Sequence, residues 1–199
     1  MLRIQPRPVS GSGLFVRLSY WMARKRLGRV PAPLGVMAHN RWVLAAVAGY
    51  ELAQEKASAL EPRLKDLANL KVATEVGCRF CIDIGSAVAR RTMTEDELRD
   101  LPEYLDSPRF TSLEKRVLDY AVALSRAPMV VPPELSTELT AKLGVPALVE
   151  LTAVIAWENY RSRFNHAVGA EEEGFSKEGA FCLLPPRPAG GSRHERRVR

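Results

Sequence analysis

The chain has 199 residues, of which 46% are hydrophobic and 26% are charged, a globular composition that excludes a disordered protein. The sequence has no uninterrupted apolar run of the roughly 18 residues needed for a membrane-spanning helix. The N-terminus lacks the apolar core of a signal peptide. Three cysteines, two of them in one CxxC, do not form a secreted disulfide framework, so we predict a protein of the reducing cytoplasm.

The net charge of +6 is concentrated at the two ends of the chain. Residues 1–30 carry seven Arg or Lys and no acid, and residues 187–199 carry five Arg and one Glu, which leaves the body between them at −5. A nucleic-acid-binding protein needs its basic residues clustered on a folded face. We therefore predict no nucleic-acid partner and, because the first helix is expected to pack on the body, no membrane partner.

Hydrophobic spacing predicts helices along most of the first half of the chain. A first helix spans 14–28 and ends at a glycine, a usual stop signal. The segment "VPAPLG" then interrupts the pattern, and its Pro33 and Gly35 predict a turn. An Ala-rich helix follows at 40–60, and Pro62 fits the first turn of a helix that ends at Gly77.

The second half continues as helices with recognisable ends. "TEDE" at 94–97 and "TSLE" at 111–114 match the capping box of a helix N-terminus. Further helices are predicted over 132–144 and from Pro146 to Gly169, and no alternating β-branched run predicts a sheet. The prediction is one all-α domain over 14–184, between a flexible arm at 1–13 and a disordered basic tail at 185–199.

Cys78 and Cys81 stand at the start of the predicted helix 78–91, in "TEVGCRFCIDIG". The positive end of the helix macrodipole and the neighbouring Arg79 favour a thiolate there. The two-residue spacing allows a disulfide to close and reopen, so a redox pair is the preferred reading. Metal binding and plain packing remain alternatives at this point.

A metal site or a bound cofactor has little support in the sequence. Zinc needs four ligands. No motif pairs the dithiol with the other possible ligands, which are Cys182, His39, His166 and His194. Neither a GxGxxG nor a CxxCH motif is present, so we predict no haem, flavin or nicotinamide. Cys182 is predicted to be a small buried apolar residue.

Asp66 is the acidic residue that the helical hairpin brings near the dithiol. If helices 62–76 and 78–91 are antiparallel, Asp66 lies level with residues 85–86, about one turn (~5 Å) beyond Cys81. A group at position 85 could then relay a proton between them, but Gly85 could do so only by making room for a water. Alternatives are a surface ion pair of Asp66 with Arg63 or Lys65, and Glu75 as the base.

The stretch "DLANLKVATEVGCRFCIDIGSAVARR" resembles carboxymuconolactone decarboxylase-like proteins, which include the alkylhydroperoxidase D enzymes. Members show an acidic residue twelve positions before the first cysteine, then GCxxC, then often a histidine four positions after the second cysteine. The resemblance covers roughly 33–175. It implies an all-helical fold with CxxC at a helix N-terminus, and assembly into homo-oligomers.

In the peroxidase branch the resemblance makes Cys81 the attacking thiol, Cys78 the resolving thiol and Asp66 the acidic relay member. The chain departs from the pattern in carrying Asp66 for a glutamate and Gly85 for the relay histidine, whose place His166 could take by folding back. The helix-dipole argument alone favours Cys78 as the thiolate, and we follow the resemblance for the roles.

We therefore predict an enzyme, an alkylhydroperoxidase-like thiol oxidoreductase that reduces a peroxide or exchanges with a disulfide and is reset by an external dithiol. One alternative is a decarboxylase-like enzyme acting on a small carboxylated lactone, whose turnover would survive loss of both cysteines. Another is a non-catalytic helical oligomer or binding module in which the dithiol is structural.

Overall fold

The structure is a computed structural model that describes residues 2–176. Within this range the chain forms helices and no strand, which confirms the predicted all-α class. The helices are α1 (Leu14–Leu27), α2 (Ala32–Met37), α3 (Arg41–Lys56), α4 (Pro62–Val76), α5 (Arg79–Ala89), α6 (Glu95–Asp100), α7 (Ser112–Ala123), α8 (Pro133–Leu143) and α9 (Val145–Val168).

The predicted helix ends are formed by the residues that signalled them. Thr94 and Thr111 each close a capping box, with their hydroxyls accepting from the backbone N–H of Glu97 and Glu114. Gly77 ends α4 in the left-handed conformation, with φ of 76°, which glycine adopts without steric cost. These local signals account for the close match between the expected and observed helices.

The predicted turn at Pro33 and Gly35 is wrong, because both residues lie inside α2. Pro33 falls in the first turn of this helix, where the backbone N–H has no intrahelical partner and a proline is tolerated. Gly35 is needed for close packing. A Cβ at this position would lie 2.5 Å from Cβ of Pro6, so the glycine admits the N-terminal segment rather than turning the chain.

Helix α4 forms the centre of the fold, packed against α9, α7 and α5. Its core includes the fully buried Leu67, Leu118 and Leu151. A second, smaller cluster joins α1–α3 to α9, with Tyr20 and Leu44 among its buried members. The hairpin of α4 and α5, which carries the two cysteines, belongs to the first cluster. Helices α1–α3 face this hairpin.

Asp83 ties the segment after α9 to α5. Its carboxylate, 1% exposed, accepts the backbone N–H groups of residues 173–176 at 2.7–3.0 Å and the hydroxyl of Ser176 at 2.6 Å. Burial alone would raise the pKa of Asp83, but these hydrogen bonds together hold it below the usual value. One side chain therefore fixes the C-terminal end of the described chain.

The N-terminal segment, predicted to be a flexible arm, is hydrogen-bonded to the body. The backbone N–H of Arg3 donates to Val168 O at 2.8 Å, and that of Arg7 donates to Gly35 O at 2.9 Å. Its flexibility and the domain limits remain predictions. The predicted tail at 185–199 and Cys182 lie outside the described residues. No helix between residues 2 and 176 is long and apolar enough to cross a membrane.

Candidate functional site

The turn between α4 and α5 places the two cysteines. The backbone N–H of Cys78 donates to Ala73 O at 3.0 Å and that of Gly77 donates to Thr74 O at 3.2 Å, the pairing of a Schellman motif. Cys78 is then the N-cap of α5, and its sulfur accepts the backbone N–H of Cys81 at 3.2 Å. Both thiols thus sit in the first turn of a helix, as the sequence predicts.

The two thiols are free and in contact, with their sulfurs 2.6 Å apart. The hydrogen bond between them lowers the pKa of Cys78 below the usual thiol value, although burial opposes the shift. The same bond, together with burial, raises the pKa of Cys81 far above that value. Of the two thiols, Cys78 is therefore the one whose deprotonation is favoured, in agreement with the helix-dipole argument.

A cavity of about 540 Å³ opens beside the dithiol, between α1–α3 on one side and α4, α5 and α9 on the other. Cys81 is part of its wall, whereas Cys78, 2% exposed, is not. A molecule in the cavity therefore meets the sulfur of Cys81 first, with Cys78 directly behind it. The thiol with the lowered pKa and the thiol that faces the cavity are different residues.

Asp66 lines the same cavity from α4. Its carboxylate accepts the hydroxyl of Thr92 at 2.7 Å and forms no ion pair within residues 2–176. Arg63 pairs with Glu97 and Glu114, and Lys65 with Glu150. Burial raises the pKa of Asp66, with the Thr92 hydrogen bond opposing it.

Gly85 also lines the cavity, one turn after Cys81 on α5. A Cβ at this position would lie 3.0 Å from a methyl carbon of Leu70, a residue one turn after Asp66 on α4. A leucine methyl therefore closes the Cβ direction at Gly85, while Gly85 still borders the cavity that Asp66 and Cys81 also line. Gly85 has no side chain to carry a proton, and a route from Asp66 to Cys81 through a water at this position stays a prediction.

Helix α9 brings a second set of polar side chains to the dithiol. The Asn165 side-chain amide donates to Cys81 Sγ at 3.2 Å. The Ser162 hydroxyl, fully buried, donates to Glu158 Oε1 at 3.0 Å and lies close enough to the thiol pair to lower the pKa of both cysteines. Glu158, 3% exposed, pairs with Arg161.

These α9 residues escaped the sequence analysis, although a signal for them exists. Glu158, Ser162 and Asn165 follow one another at intervals of four and three residues, so they share one helix face. That face continues the buried apolar stripe that includes Leu151 and Ile155. Polar residues in the core-facing stripe of a helix indicate buried partners.

The other sequence candidates lie apart from the dithiol cavity. Glu75 pairs with Lys71 at 3.1 Å and with Arg126 at 3.3 Å, and His166 is exposed in the last turn of α9; neither lines the cavity. Arg79 pairs with Glu172, its Nε 2.8 Å from the carboxylate. The cation expected to stabilise a thiolate therefore serves to hold the C-terminal segment.

Comparison with known proteins gives a family and a fold. The model of the carboxymuconolactone decarboxylase family matches residues 41–123. The uncharacterized protein YnjA of Escherichia coli strain K12 is 33% identical over 184 residues, which is 90% of this chain and 97% of that protein.

Two solved structures share the fold at lower identity. The apo debrominase Bmp8 superposes with a TM-score of 0.78 and 22% identity over 88% of this chain and 94% of that one. A peroxidase-related protein of Ralstonia eutropha JMP134 with an alkylhydroperoxidase AhpD core gives a TM-score of 0.79 at 16% identity, over 91% of this chain and 97% of its own. This chain belongs to the carboxymuconolactone decarboxylase family.

Proposed function

We propose that the protein is a dithiol oxidoreductase in which Cys81 attacks a small molecule bound in the cavity and Cys78 resolves the product as an intramolecular disulfide. The observation that carries the proposal is that Cys81 lines the cavity and Cys78 does not. The sulfur of Cys78 lies 2.6 Å from the sulfur of Cys81. Closing the disulfide then requires little movement of the backbone.

With a hydroperoxide ROOH the chemistry balances in two steps. The sulfur of Cys81 attacks the terminal oxygen, the O–O bond breaks, ROH leaves and a sulfenic acid forms on Cys81. The thiolate of Cys78 then attacks that sulfur, a disulfide forms and water leaves. An external dithiol returns the pair to the reduced state by exchange.

Attack by Cys81 requires that its own proton be removed, and α9 offers the path. An ionised carboxylate only accepts hydrogen bonds, so the Ser162 hydroxyl directs its single hydrogen to Glu158. In our proposal its oxygen takes up the Cys81 proton as the Cys81 sulfur attacks. In our proposal the proton passes from sulfur to Ser162 and from Ser162 to Glu158.

Asp66 has a different part in this scheme from the one that the family pattern implies. In our proposal Asp66 acts on the molecule in the cavity and not, through a relay residue, on the Cys81 sulfur. Burial raises the pKa of Asp66. In our proposal the protonated carboxyl donates to the leaving oxygen and so prevents an alkoxide from forming. The acid and the base of the reaction then stand on α4 and α9, on two sides of Cys81.

Reductive removal of a halogen from a small ring is a second candidate reaction. The debrominase Bmp8 shares the fold, and a cysteine-to-alanine variant of it is known in complex with 2,3,4-tribromopyrrole. The cavity of about 540 Å³ has room for such a ring. Two thiols supply both electrons: a C–H bond replaces the C–Br bond, bromide leaves, and the disulfide forms.

Oxidation of the full-length reduced protein by one equivalent of cumene hydroperoxide tests the proposal. We expect the intact mass to fall by two hydrogens within seconds, peptide mapping to locate the disulfide at Cys78–Cys81 with Cys182 unmodified, and dithiothreitol to restore the mass. Oxidation no faster than that of a free thiol would contradict the proposal and favour a structural dithiol. We further propose a homo-oligomeric, cytoplasmic enzyme on the family resemblance.

A further inference from the structure

The charges in the wall of the dithiol cavity are unfavourable for an anionic ligand. Three cations line it, and each is already paired: Arg26 with Glu55, Lys65 with Glu150, and Arg161 with Glu51 and Glu158. The wall also carries the carboxylates of Glu51, Glu55 and Glu158 and the carboxyl of Asp66. A carboxylated molecule would meet cations that already hold carboxylates. The donor it would find is the buried Nε of Arg161, which has no hydrogen-bond partner among residues 2–176, so it would exchange its hydration for a single hydrogen bond.

The same wall contains hydrogen-bond acceptors that lack donors. The side-chain oxygens of Gln54, Asn69 and Asn165 are buried and have no hydrogen-bond partner among residues 2–176, and all three residues line the cavity. A buried acceptor left unpaired costs on the order of 1–3 kcal/mol. A ligand that brings N–H or O–H donors removes this cost.

Asn165 is the acceptor nearest to the chemistry. It is 4% exposed, and its amide nitrogen donates to Cys81 Sγ at 3.2 Å, which fixes the orientation of the side chain. Its oxygen is then the atom left for a ligand beside the reactive sulfur. A donor bound there would hold the neighbouring atom of the ligand against Cys81.

The rest of the wall suits an apolar ring. Most of the lining is apolar, and Trp157 from α9 stacks on Tyr50 with ring centroids 4.2 Å apart and on Tyr160 at 4.8 Å. Trp157 is fixed further by its indole N–H, which donates to Glu51 at 2.8 Å. A cavity of about 540 Å³ falls in the range of pockets that enclose small organic molecules.

We infer that the cavity selects neutral, ring-sized organic substrates that carry an N–H or O–H donor next to the reacting atom, and that it excludes carboxylates. The inference rests on the proposed function in taking the cavity as the substrate site. It names Asn165 as a specificity-determining residue. It also separates this chain from enzymes that act on a carboxylated lactone.

Binding of three unreactive ring compounds to the reduced full-length protein tests this inference without any redox turnover. Phenol is neutral at pH 7, since its pKa is about 10, and carries one donor. Anisole has a similar ring and no donor, and benzoate is an anion. Saturation-transfer NMR gives the affinities, and Trp157 fluorescence reports entry into the cavity.

We expect phenol to bind about five- to tenfold more tightly than anisole, the ratio that one neutral hydrogen bond supplies, and benzoate to give no saturable binding. Phenol has a single donor, so Asn165→Leu, which removes the acceptor beside Cys81, should weaken phenol to the level of anisole while leaving anisole unchanged. Asn40→Asp, an exposed N-cap that keeps its capping oxygen, is the matched control and should change nothing. Asn165→Ala gives the same comparison if the leucine variant fails to fold.

Benzoate binding as tight as that of phenol, equal affinities for phenol and anisole, or no ring binding at all would each overturn the inference. None of these outcomes depends on disulfide formation. A protein that binds phenol as expected but does not cycle its dithiol would retain the specificity and lose the proposed function. A protein that cycles its dithiol but prefers benzoate would do the reverse.

Discussion

The hydroxyl of Ser162 donates to Oε1 of Glu158 across 3.0 Å, one helical turn apart on α9 and directly beside the dithiol. A buried carboxylate in this place has two opposed effects. The mutual hydrogen bond and the burial of the thiols have the larger effects on the two pKa values. The negative charge of Glu158 has a smaller effect, which raises the pKa of both thiols. In the proposed reaction the same carboxylate removes the proton that must leave before Cys81 attacks. The two effects separate in experiment.

Replacing Glu158→Gln should accelerate alkylation of the dithiol and slow its turnover. Loss of the negative charge lowers the pKa of the thiols, so iodoacetamide, which reacts with thiolate already present, modifies the pair faster at pH 7. Loss of the base slows oxidation by cumene hydroperoxide by on the order of 10²-fold. Both rates are followed by mass spectrometry on the same protein preparation.

Glu150→Gln is the matched control for this experiment. Glu150 is also buried on α9 and ion-paired, but its carboxylate accepts the backbone N–H groups of Ala59 and Leu60 and lies away from the thiols. This variant should lose stability and keep both rates. If Glu158→Gln accelerates peroxide oxidation along with alkylation, the carboxylate acts only through its charge and the proton path is wrong.

Asp66→Asn should slow turnover without lowering stability at neutral pH. Because burial raises the pKa of Asp66 in the folded chain, its contribution to stability is full below the unfolded pKa of about 3.9 and is lost as the pH rises through the folded pKa. At pH 7 the neutral amide should therefore unfold in urea no earlier than the wild type, and the two should converge near pH 3.

The rate of the same variant tests the role of Asp66 as an acid. Turnover with cumene hydroperoxide should fall on the order of 10²-fold, and the decline of the wild-type rate with rising pH should be absent. Asp119→Asn on α7, where the carboxylate pairs with Arg116 and accepts the Tyr104 hydroxyl, serves as the control. A rate unchanged by Asp66→Asn would remove this residue from the scheme.

Asp83→Asn should destabilise the protein by about 2–4 kcal/mol, because the amide repels at least one of the buried N–H donors that the carboxylate accepts. The folded pKa of Asp83 is depressed, so its stabilisation is present above the unfolded pKa of about 3.9 and is lost as the pH falls through the folded pKa. Urea unfolding at pH 7 and pH 3 measures this. An equal loss at both values would contradict it.

Gly85 and Leu70 should be coupled in a double-mutant cycle. Gly85→Ala brings a methyl to 3.0 Å from Leu70, which offsets the gain of up to about 1 kcal/mol that alanine gives in a helix. In the Leu70→Ala background the methyl has space and the full gain appears. We expect a favourable coupling of about 1 kcal/mol by urea unfolding, whereas additive effects would mean that Leu70 does not close this position.

The sequence predicts the hairpin of α4 and α5 well because its determinants are local. Helical spacing, the stop at Gly77 and the twelve-residue interval between Asp66 and Cys78 suffice to bring Asp66 and Cys81 to one cavity. The predicted turn at Pro33 and Gly35 fails for the opposite reason. Gly35 packs against Pro6, which is distant in sequence, and no local pattern predicts that contact.

The α9 part of the site could be recovered from the sequence only in part. The stripe of Glu158, Ser162 and Asn165 indicates a polar face turned inward, but nothing in it says that this face crosses the dithiol rather than another helix. Packing of α9 on α4 and α5 decides this. Likewise, the sequence does not show that Cys81 lines the cavity and Cys78 does not. Helices α1–α3, which are distant in sequence from the dithiol, form one wall of that cavity.

The most direct test of the account is to trap the first oxidation product in Cys78→Ser and in Cys81→Ser. Each reduced variant is treated with one equivalent of cumene hydroperoxide in the presence of dimedone, and the modified cysteine is located by mass spectrometry. Attack by Cys81 should give a dimedone adduct on Cys81 of the Cys78→Ser variant, formed at a rate near that of the wild type, and a far slower reaction of Cys81→Ser. A rapid adduct on Cys78 of the Cys81→Ser variant would contradict it and make the buried thiolate the nucleophile.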